Sequence, residues 1–512
     1  MDLSSQNNAW LSHSTIDHKD FVPLDTLTRM INEPNIKATL DATGGYSVRF
    51  PWFRTPSDLP KRIATQAKKI FAALILMDKV AAIHGLLEEG LEDKHLPLSR
   101  HREHEGLLSA HDGRIFPFVG WKPMSVTDFL GHKQWLFLAP VLNTADQFIK
   151  LDKEAPLPFI DSEVKGHGAA GIVHWAKIDK HHQLGFETET VDLVVAVKEF
   201  HRKDDFNQEN TILQKIKDLQ HPHIIRHLIS IDKGDRAYII FPWADGGNLQ
   251  SFWEGSEQET SRESALWSMR QMKGLAEALH LLHERFQCRH GDLKPDNILC
   301  IREGGETVLK IADFGVSKIH HAQTINRKVA TTSAFLTPSY QGPEVEFERV
   351  DRKDQRPRSR KYDIWSLGCV FLEFAIWLLH GPKTVESFAS ARQGRTSPNG
   401  GTSTPLYEVT DKAGKVAKVH QLVSWTIGIL QENPRCKGET APAALLELIK
   451  DQMLRTEVDQ RPLASEVCKK LEEIVRCAEE NESYLFHPCD GVSIPSLDFD
   501  KFQLRRSSTD TG

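Results

Sequence analysis

The chain has 512 residues, too many for one core of usual size, so two or three folding units are expected. Apolar residues make up 40% and charged ones 26%, near the averages for folded domains, and a net charge of -6 over this length gives no footprint for nucleic acid. The seven cysteines are odd in number and scattered without a CxxC pair, which suits a reducing compartment and speaks against a disulfide framework or a structural zinc site.

The N-terminal stretch MDLSSQNNAWLSHSTIDHKDF has neither a basic start nor an apolar core of signal-peptide length, so secretion is not expected. Up to about residue 155 the pattern predicts a mainly helical region. Its clearest element is KRIATQAKKIFAALILMDKVAAIHGLL, Lys61 to Leu87, where apolar residues cover most of the helix circumference and imply burial. The His-rich stretch from His95 to Gly113 has the spacing of no standard metal site and reads as a solvated loop. From Pro156 the segments GIVHWAKI and VDLVVAVKEF, joined by the polar DKHHQLGFETET, predict consecutive antiparallel strands with a long hairpin loop.

Beyond Gly247 helices dominate: Ser264 to Phe286, the run DIWSLGCVFLEFAIWLLH, and a last one near Ala464 to Glu479. The longest apolar run, Ile364 to Leu379, is interrupted by Glu373 and falls short of the roughly 20 residues of a membrane span, so it reads as a buried helix and no membrane is expected. Residues 381–405, rich in Gly, Ser, Thr and Pro, predict a mobile loop. The basic stretch Arg349 to Lys361 reads as a solvated charged loop in preference to a dock for an acidic partner. The tail beyond about Glu480 is expected to be disordered; Ser507 and Ser508 behind two arginines match a phosphosite no better than chance.

Four stretches carry chemistry. In GHGAAGIV, Gly166, Gly168, Gly171 and Val173 fit GxGxxGxV; glycines let the backbone turn tightly and approach a phosphate. The motif precedes a strand and does not open a helix, so it is not a dinucleotide fingerprint, and alone it is weak. VAVK ends at Lys198, whose stem would be buried and whose ammonium phosphate oxygens would satisfy; by itself such a lysine is more often a snorkelling edge residue. Glu209, in the helical ENTILQKI, is a candidate partner for it, although a solvent-facing glutamate is the commoner case there.

The third stretch, CRHGDLKPDNIL, crowds Asp292, Lys294, Asp296 and Asn297 around Pro295. An acid, a base and an amide at this spacing suit phosphoryl transfer. Asp292 would take a proton from an attacking hydroxyl, Lys294 would neutralise charge on the group in flight, and Asn297 would hold a metal ion through its amide oxygen. Pro295 restricts Lys294 to extended geometry. In KIADFGVSK, Asp313 follows an apolar strand, and a carboxylate there suits a hard cation such as Mg2+.

Taken in order, GxGxxGxV, VAVK, an acidic helix residue, HGDLKPDN, DFG, TPSYQGPE and YDIWSLG resemble the eukaryotic protein kinases of serine/threonine type over roughly residues 157–475, with HGD in place of HRD. Seven signals in the right order are far more specific than any one. The resemblance implies an α+β, two-lobed protein-kinase fold, with a small antiparallel-sheet lobe and a larger helical lobe. Residues 1–155 precede it as a mainly helical region of unassigned role, and residues 476–512 follow as a tail. The texture of the first region resembles the leaders that precede kinase domains in filamentous fungi. A helical module docked on the small lobe, controlling the helix that carries Glu209, is expected there.

The resemblance also implies ATP and Mg2+ as cofactors and protein substrates as partners, in an intracellular protein, cytoplasmic or nuclear; oligomeric state is not legible. Gly166, Gly168 and Gly171 take the role of the loop over the phosphates, and Val173 and Ala196 lie above the adenine. Lys198 contacts the α and β phosphates and pairs with Glu209, while Asp313 and Asn297 hold the metal and Asp292 is the catalytic base. YIIFPWADGGNL resembles the connection between lobes, with Phe241 at the back of the adenine pocket and backbone groups near Pro242 and Ala244 at the base's edge. Asn248 is a candidate for the ribose, and Leu299 is a further ATP contact. Glu344 and Arg461 match a buried ion pair of structural role, and Thr337 matches a threonine that bonds the catalytic aspartate.

Two departures matter. Gly291 stands where many members have an arginine that meets a phosphate on the activation loop, so activity independent of phosphorylation at Thr331, Thr332 or Ser333 is expected. The interval from Lys198 to Glu209 is short for the family, so either the helix begins early or Asp205 takes the pair. The competing reading is a weak or inactive kinase-fold scaffold that binds ATP and partners.

Overall fold

The computed structural model describes residues 10–43, 58–101, 106–168, 170–186, 190–255, 261–315, 317–319, 338–350, 359–392, 405–413, 415–486, 493–500 and 502. The helix expected from Lys61 to Leu87 is broken into pieces. One helix covers Leu59–Gln66, a second, α1, covers Lys68–Leu76, and a third covers Ile83–Glu88. Asp93 makes the first break: its carboxylate accepts hydrogen bonds from the backbone N–H groups of Lys69 (2.9 Å) and Ile70 (3.0 Å), donors that the first turn of a helix leaves without an internal acceptor. Burial pushes the Asp93 carboxyl up to about 6 against the pull of those N–H groups. Ile70 to Ile75 are buried as expected, in a core shared with Trp10, Leu27 and Ile36.

The described part of the His-rich stretch, 95–101 and 106–113, contains strands and is not wholly a loop. Leu98–Arg100, Leu107–Ser109 and Ile115–Phe116 form a three-stranded antiparallel sheet, because Leu98, Leu107 and Phe116 all point into the same core. His95 is buried and its Nδ1 lies 3.0 Å from the Glu92 backbone nitrogen. Among the described residues, no group of three or more His, Cys, Asp or Glu is arranged to hold a metal ion.

The chain divides into two units, residues 1–203 with 227–243, and residues 204–226 with 244–512. The first 155 residues therefore share a unit with the sheet that follows them. That sheet has six strands: β1 (Phe148–Lys150), β2 (Phe159–His167), β3 (Gly171–Ile178), β4 (Leu193–Phe200), β5 (Ile229–Lys233) and β6 (Arg236–Pro242), in the order β1-β5-β6-β4-β3-β2. All neighbours are antiparallel except β1 and β5. Residues directly opposite each other share a face. One face carries Ala176, Val195, Val197, Ile229, Ile231, Tyr238 and Ile240, and is buried together with Ile16, Leu142, Leu157 and Phe159.

The first residues of the chain are fastened to this sheet. Asp17 Oδ2 lies 2.6 Å from Lys233 Nζ, with the two side chains 2% and 3% exposed, and also accepts the Leu157 N–H at 3.2 Å. Burial pushes the Lys233 ammonium down, and the Asp17 carboxylate opposes that shift. Thr15 donates its backbone N–H to the Phe159 carbonyl at 2.9 Å. The polar connection between β3 and β4 is also engaged: Gln183–Leu184 pairs in parallel with Leu142–Asn143, and the Thr144 hydroxyl donates to the Gly185 carbonyl at 2.8 Å.

In the second unit, α2 (Lys203–Ile216), α3 (Arg262–Arg285), α4 (Lys361–His380), α5 (Pro382–Ala391) and α6 (Ala464–Glu480) are the main helices. α4 is long and apolar enough to cross a membrane, yet its whole apolar window is buried inside the fold. The loop expected over 381–405 begins instead as α5, whose Val385 and Phe388 are buried; residues 393–404 lie outside the described residues. The tail is also not featureless. Phe499 and Phe502 are buried, with ring centroids 5.8 Å and 5.3 Å from Trp425.

Gly274 of α3 makes room for the loop after α2. A β-carbon there would sit 2.0 Å from His223 Nε2, and the other ring nitrogen of His223 lies 2.7 Å from the Leu309 carbonyl. Burial pushes the His223 imidazole down to about 4, so it stays neutral. Gly274→Ala is expected to displace the ring and cost about 1–3 kcal/mol, read as a lower denaturation midpoint at unchanged m-value.

Candidate active site

In the first unit, strand pairing gathers the candidate nucleotide residues on one face. Gly166 opposes Val173, Val173 opposes Lys198, and in the next row Trp175, Ala196 and Phe241 stand abreast. This is the face opposite the one that Ile16, Leu142 and Leu157 help to cover. Val173, Ala196 and Lys198 are half-buried there.

The three glycines have different physical reasons. A β-carbon on Gly171 would lie 2.0 Å from the Glu199 carbonyl oxygen, so only glycine lets the strands close at that point. Gly166 faces open space, and a β-carbon on Gly168 would meet nothing nearer than 3.6 Å. Among the described residues none crowds those two positions; a bare backbone there leaves room for a phosphate to approach closely.

In the second unit, Asp292, Lys294 and Asn297 are brought together. Asn297 Nδ2 donates to the Asp292 carbonyl at 2.8 Å and to its Oδ2 at 3.0 Å, while Lys294 Nζ lies 3.3 Å from the same carboxylate. With Nδ2 directed at Asp292, Oδ1 is the atom of Asn297 suited to a metal ion. Burial raises the Asp292 carboxyl above its ordinary value; the Lys294 and His290 charges pull it back, and Asp313 pushes it up again. Asp313 is thus close enough to act on Asp292. It adopts φ +61°, a conformation rare for residues other than glycine, and its Oδ1 accepts from the Gly315 N–H at 3.3 Å.

A hairpin fixes the distance between the two metal candidates. β7 (Ile298–Glu303) and β8 (Glu306–Ile311) pair residue by residue from Ile298 opposite Ile311 to Glu303 opposite Glu306. Just past the hairpin, the Ala312 N–H donates to the Asn297 carbonyl at 2.9 Å. The Asp313 carboxylate and the Asn297 amide oxygen are hard donors of the kind Mg2+ prefers, so the residues present fit that ion.

Sequence reasoning quoted YDIWSLG without giving Asp363 a task. The structure gives it the central one: its carboxylate accepts the backbone N–H groups of His290 and Gly291, each at 2.8 Å, and its Oδ2 lies 2.8 Å from His283 Nε2. Burial works against its charge, but the His283 bond and the neighbouring positive groups keep its pKa below the ordinary value. Gly291 takes φ +86°, which a glycine adopts without strain. His290 in turn lies 3.0 Å from the Ala312 carbonyl through Nε2 and packs edge-on against the buried Phe314.

The remaining expectations fall as follows. α2 begins at Lys203; within it Glu209 is buried at 1% exposure and Asp205 is half-buried. Asn248 gives its side-chain oxygen to the Ser251 N–H at 2.8 Å, capping the helix Leu249–Gly255, and forms a bridge with Leu299. Ala244 precedes that turn, its carbonyl accepting the Gly247 N–H at 3.0 Å. Glu344 and Arg461 form the expected pair with two bonds of 2.8 Å. Thr331, Thr332, Ser333, Thr337 and most of the basic stretch 349–361 lie outside the described residues.

The sequence matches the family described as protein kinase domain over residues 166–471. Serine/threonine-protein kinase nekl-2 of Caenorhabditis elegans is 30% identical over 223 residues, 41% of this chain and 55% of that protein. Serine/threonine-protein kinase Nek5 of Homo sapiens is 28% identical over 214 residues, covering 41% and 26%. The probable serine/threonine-protein kinase fhkD of Dictyostelium discoideum is 35% identical over 193 residues, covering 35% and 24%. The chain thus spans about half or less of the length of these curated relatives. Protein kinases as a family use ATP and Mg2+ and act on proteins. The family match runs over more than half of the chain and takes in every residue placed above from Gly166 to Arg461, so this chain belongs to the protein kinase family.

Proposed function

We propose that the chain is a protein serine/threonine kinase, transferring the γ-phosphate of ATP to serine or threonine hydroxyls of protein substrates. The observation that carries this reading is the intact set of Asp292, Lys294, Asn297 and Asp313, held by hydrogen bonds in one unit. The relatives' names and the Lys294-containing loop favour hydroxyls of serine and threonine.

In this reading Asn297 and Asp313 hold Mg2+, which when bound neutralises charge on the phosphate oxygens. Asp292 orients the acceptor hydroxyl and takes its proton as the new oxygen–phosphorus bond forms; the bond from the γ-phosphorus to the bridging oxygen breaks and ADP departs. Lys294 offsets charge on the moving phosphoryl group. Gly166, Gly168 and Gly171 cover the phosphates, with Lys198 on the α and β phosphates and Glu209 as its acid. Val173, Ala196, Ala244, Asn248 and Leu299 are assigned to the nucleoside. The work is positioning and charge stabilisation, so few side chains need to bond to reacting atoms.

The test is transfer of labelled phosphate from ATP and Mg2+ to a generic basic protein. Wild type should transfer, and Asp292→Asn should lower the rate by about a hundredfold or more, the size of a general-base contribution. Binding of ATP with no transfer by wild type would favour the scaffold reading.

A further inference from the structure

Two helices of the second unit, α5 and the helix Gln421–Glu432, offer aromatic rings to one short segment near the end of the chain. The Phe499 ring centroid lies 6.0 Å from that of Phe388 and 5.8 Å from that of Trp425, and the Phe502 centroid lies 5.3 Å from Trp425. Residues 499, 500 and 502 are helical, so the two phenylalanines, three residues apart, share a face. Both are buried, as is Phe388, while Trp425 stays half-buried even with two rings against it.

The segment is held through few of its side chains. Ser493, Ile494, Ser496 and Asp500 are exposed, Ile494 at 39% although it is apolar. Burial of the two rings therefore has to offset the conformational entropy lost by the whole segment. A contact so near balance opens while the rest of the unit stays folded. When it opens, one side of Phe388 and Trp425 is uncovered, and a contiguous aromatic patch of that kind is what an interaction site presents.

We propose that the Phe388–Trp425 surface is a docking site for a short segment of a partner protein carrying two phenylalanines three residues apart, with the chain's own tail as its resident competitor. The tail displays the chemistry the site accepts: two rings on one face of a helical turn, one against both Phe388 and Trp425, the other against Trp425. The proposal goes beyond the kinase reading and does not depend on it, since docking is read without phosphate transfer.

The probe is a fluorescent peptide, SIPSLDFDKFQ, the sequence of residues 493–503, added to the full-length chain and followed by anisotropy. The double variant Phe499→Ser, Phe502→Ser, whose own tail cannot seat, should bind it. Wild type should bind about tenfold more weakly or worse, because a tethered competitor acts at an effective concentration of about a millimolar. Adding Trp425→Ala to the double variant should abolish binding, as should replacing both phenylalanines of the peptide by alanine. If the double variant does not fold, Phe502→Ser alone should bind more tightly than wild type. Equal binding by wild type and a folded variant would place the peptide elsewhere and overturn the proposal. No binding by a folded variant would make the tail a fixed part of the fold, with the same consequence. A wild-type dimer that the double variant breaks would assign the surface to a second copy of the chain and overturn the partner assignment.

Discussion

A chain that begins at residue 157 is expected not to accumulate as a folded, soluble protein, although it keeps every residue of the family match. The cut removes Ile16 and Leu142 from the apolar face of the sheet, β1 from its edge, and Asp17 from Lys233. Val195, Val197, Ile229, Ile231, Tyr238 and Ile240 are all fully buried on that face. Burying one such side chain contributes about 1.5–3 kcal/mol. Uncovering even part of six approaches the whole stability of a domain, about 5–15 kcal/mol. The exposed face and the bare edge of β5 would also be a template for aggregation. Soluble yield and a thermal melt of the shortened and full chains decide the matter. A shortened chain with the same melting temperature would show that residues 10–155 are an accessory.

Asp17→Ala in the full chain should cost about 3–5 kcal/mol, because it leaves the Lys233 ammonium buried without its counter-ion. The value of the pair itself is a separate quantity. Replacing both residues, Asp17→Leu with Lys233→Met, removes the desolvated charges together and should cost clearly less than the single change, the remainder being the Leu157 N–H left without its acceptor. Urea titration of wild type, the single variant and the double variant measures both. A small loss in the single variant would mean that water reaches Lys233 when Asp17 is absent, and that the leader is held mainly by Ile16 and Leu142.

The candidate catalytic residues stand out in the sequence because their signals are local. Asp292, Lys294, Asn297 and Asp313 lie in two short stretches whose chemistry depends on neighbours a few residues away. What escaped depends on distant partners. The break at Ala67 is set by a carboxylate 24 residues beyond Lys69. The task of Asp363 is set by backbone N–H groups 72 and 73 residues before it. The stretch around His95 looked like a polar loop because three-residue strands are too short to display a period. The tail beyond about Glu480 reads as disordered in the sequence, since nothing near Phe499 and Phe502 announces Trp425. The Lys198 to Glu209 interval could be counted but not resolved, because where α2 starts is decided by the fold.

The hairpin that joins the two metal candidates works as a ruler. Its far end is a turn at Gly304 and Gly305, both at positive φ and with no described atom within 4 Å of where a β-carbon would stand, the arrangement of a tight two-residue connection. The spacing of Asn297 and Asp313 is fixed by the register where β7 meets β8 at Ile298 and Ile311, not by how far the strands extend before they turn. The number of residues separating the two motifs along the chain is therefore a free variable of the sequence, while their separation in space is not.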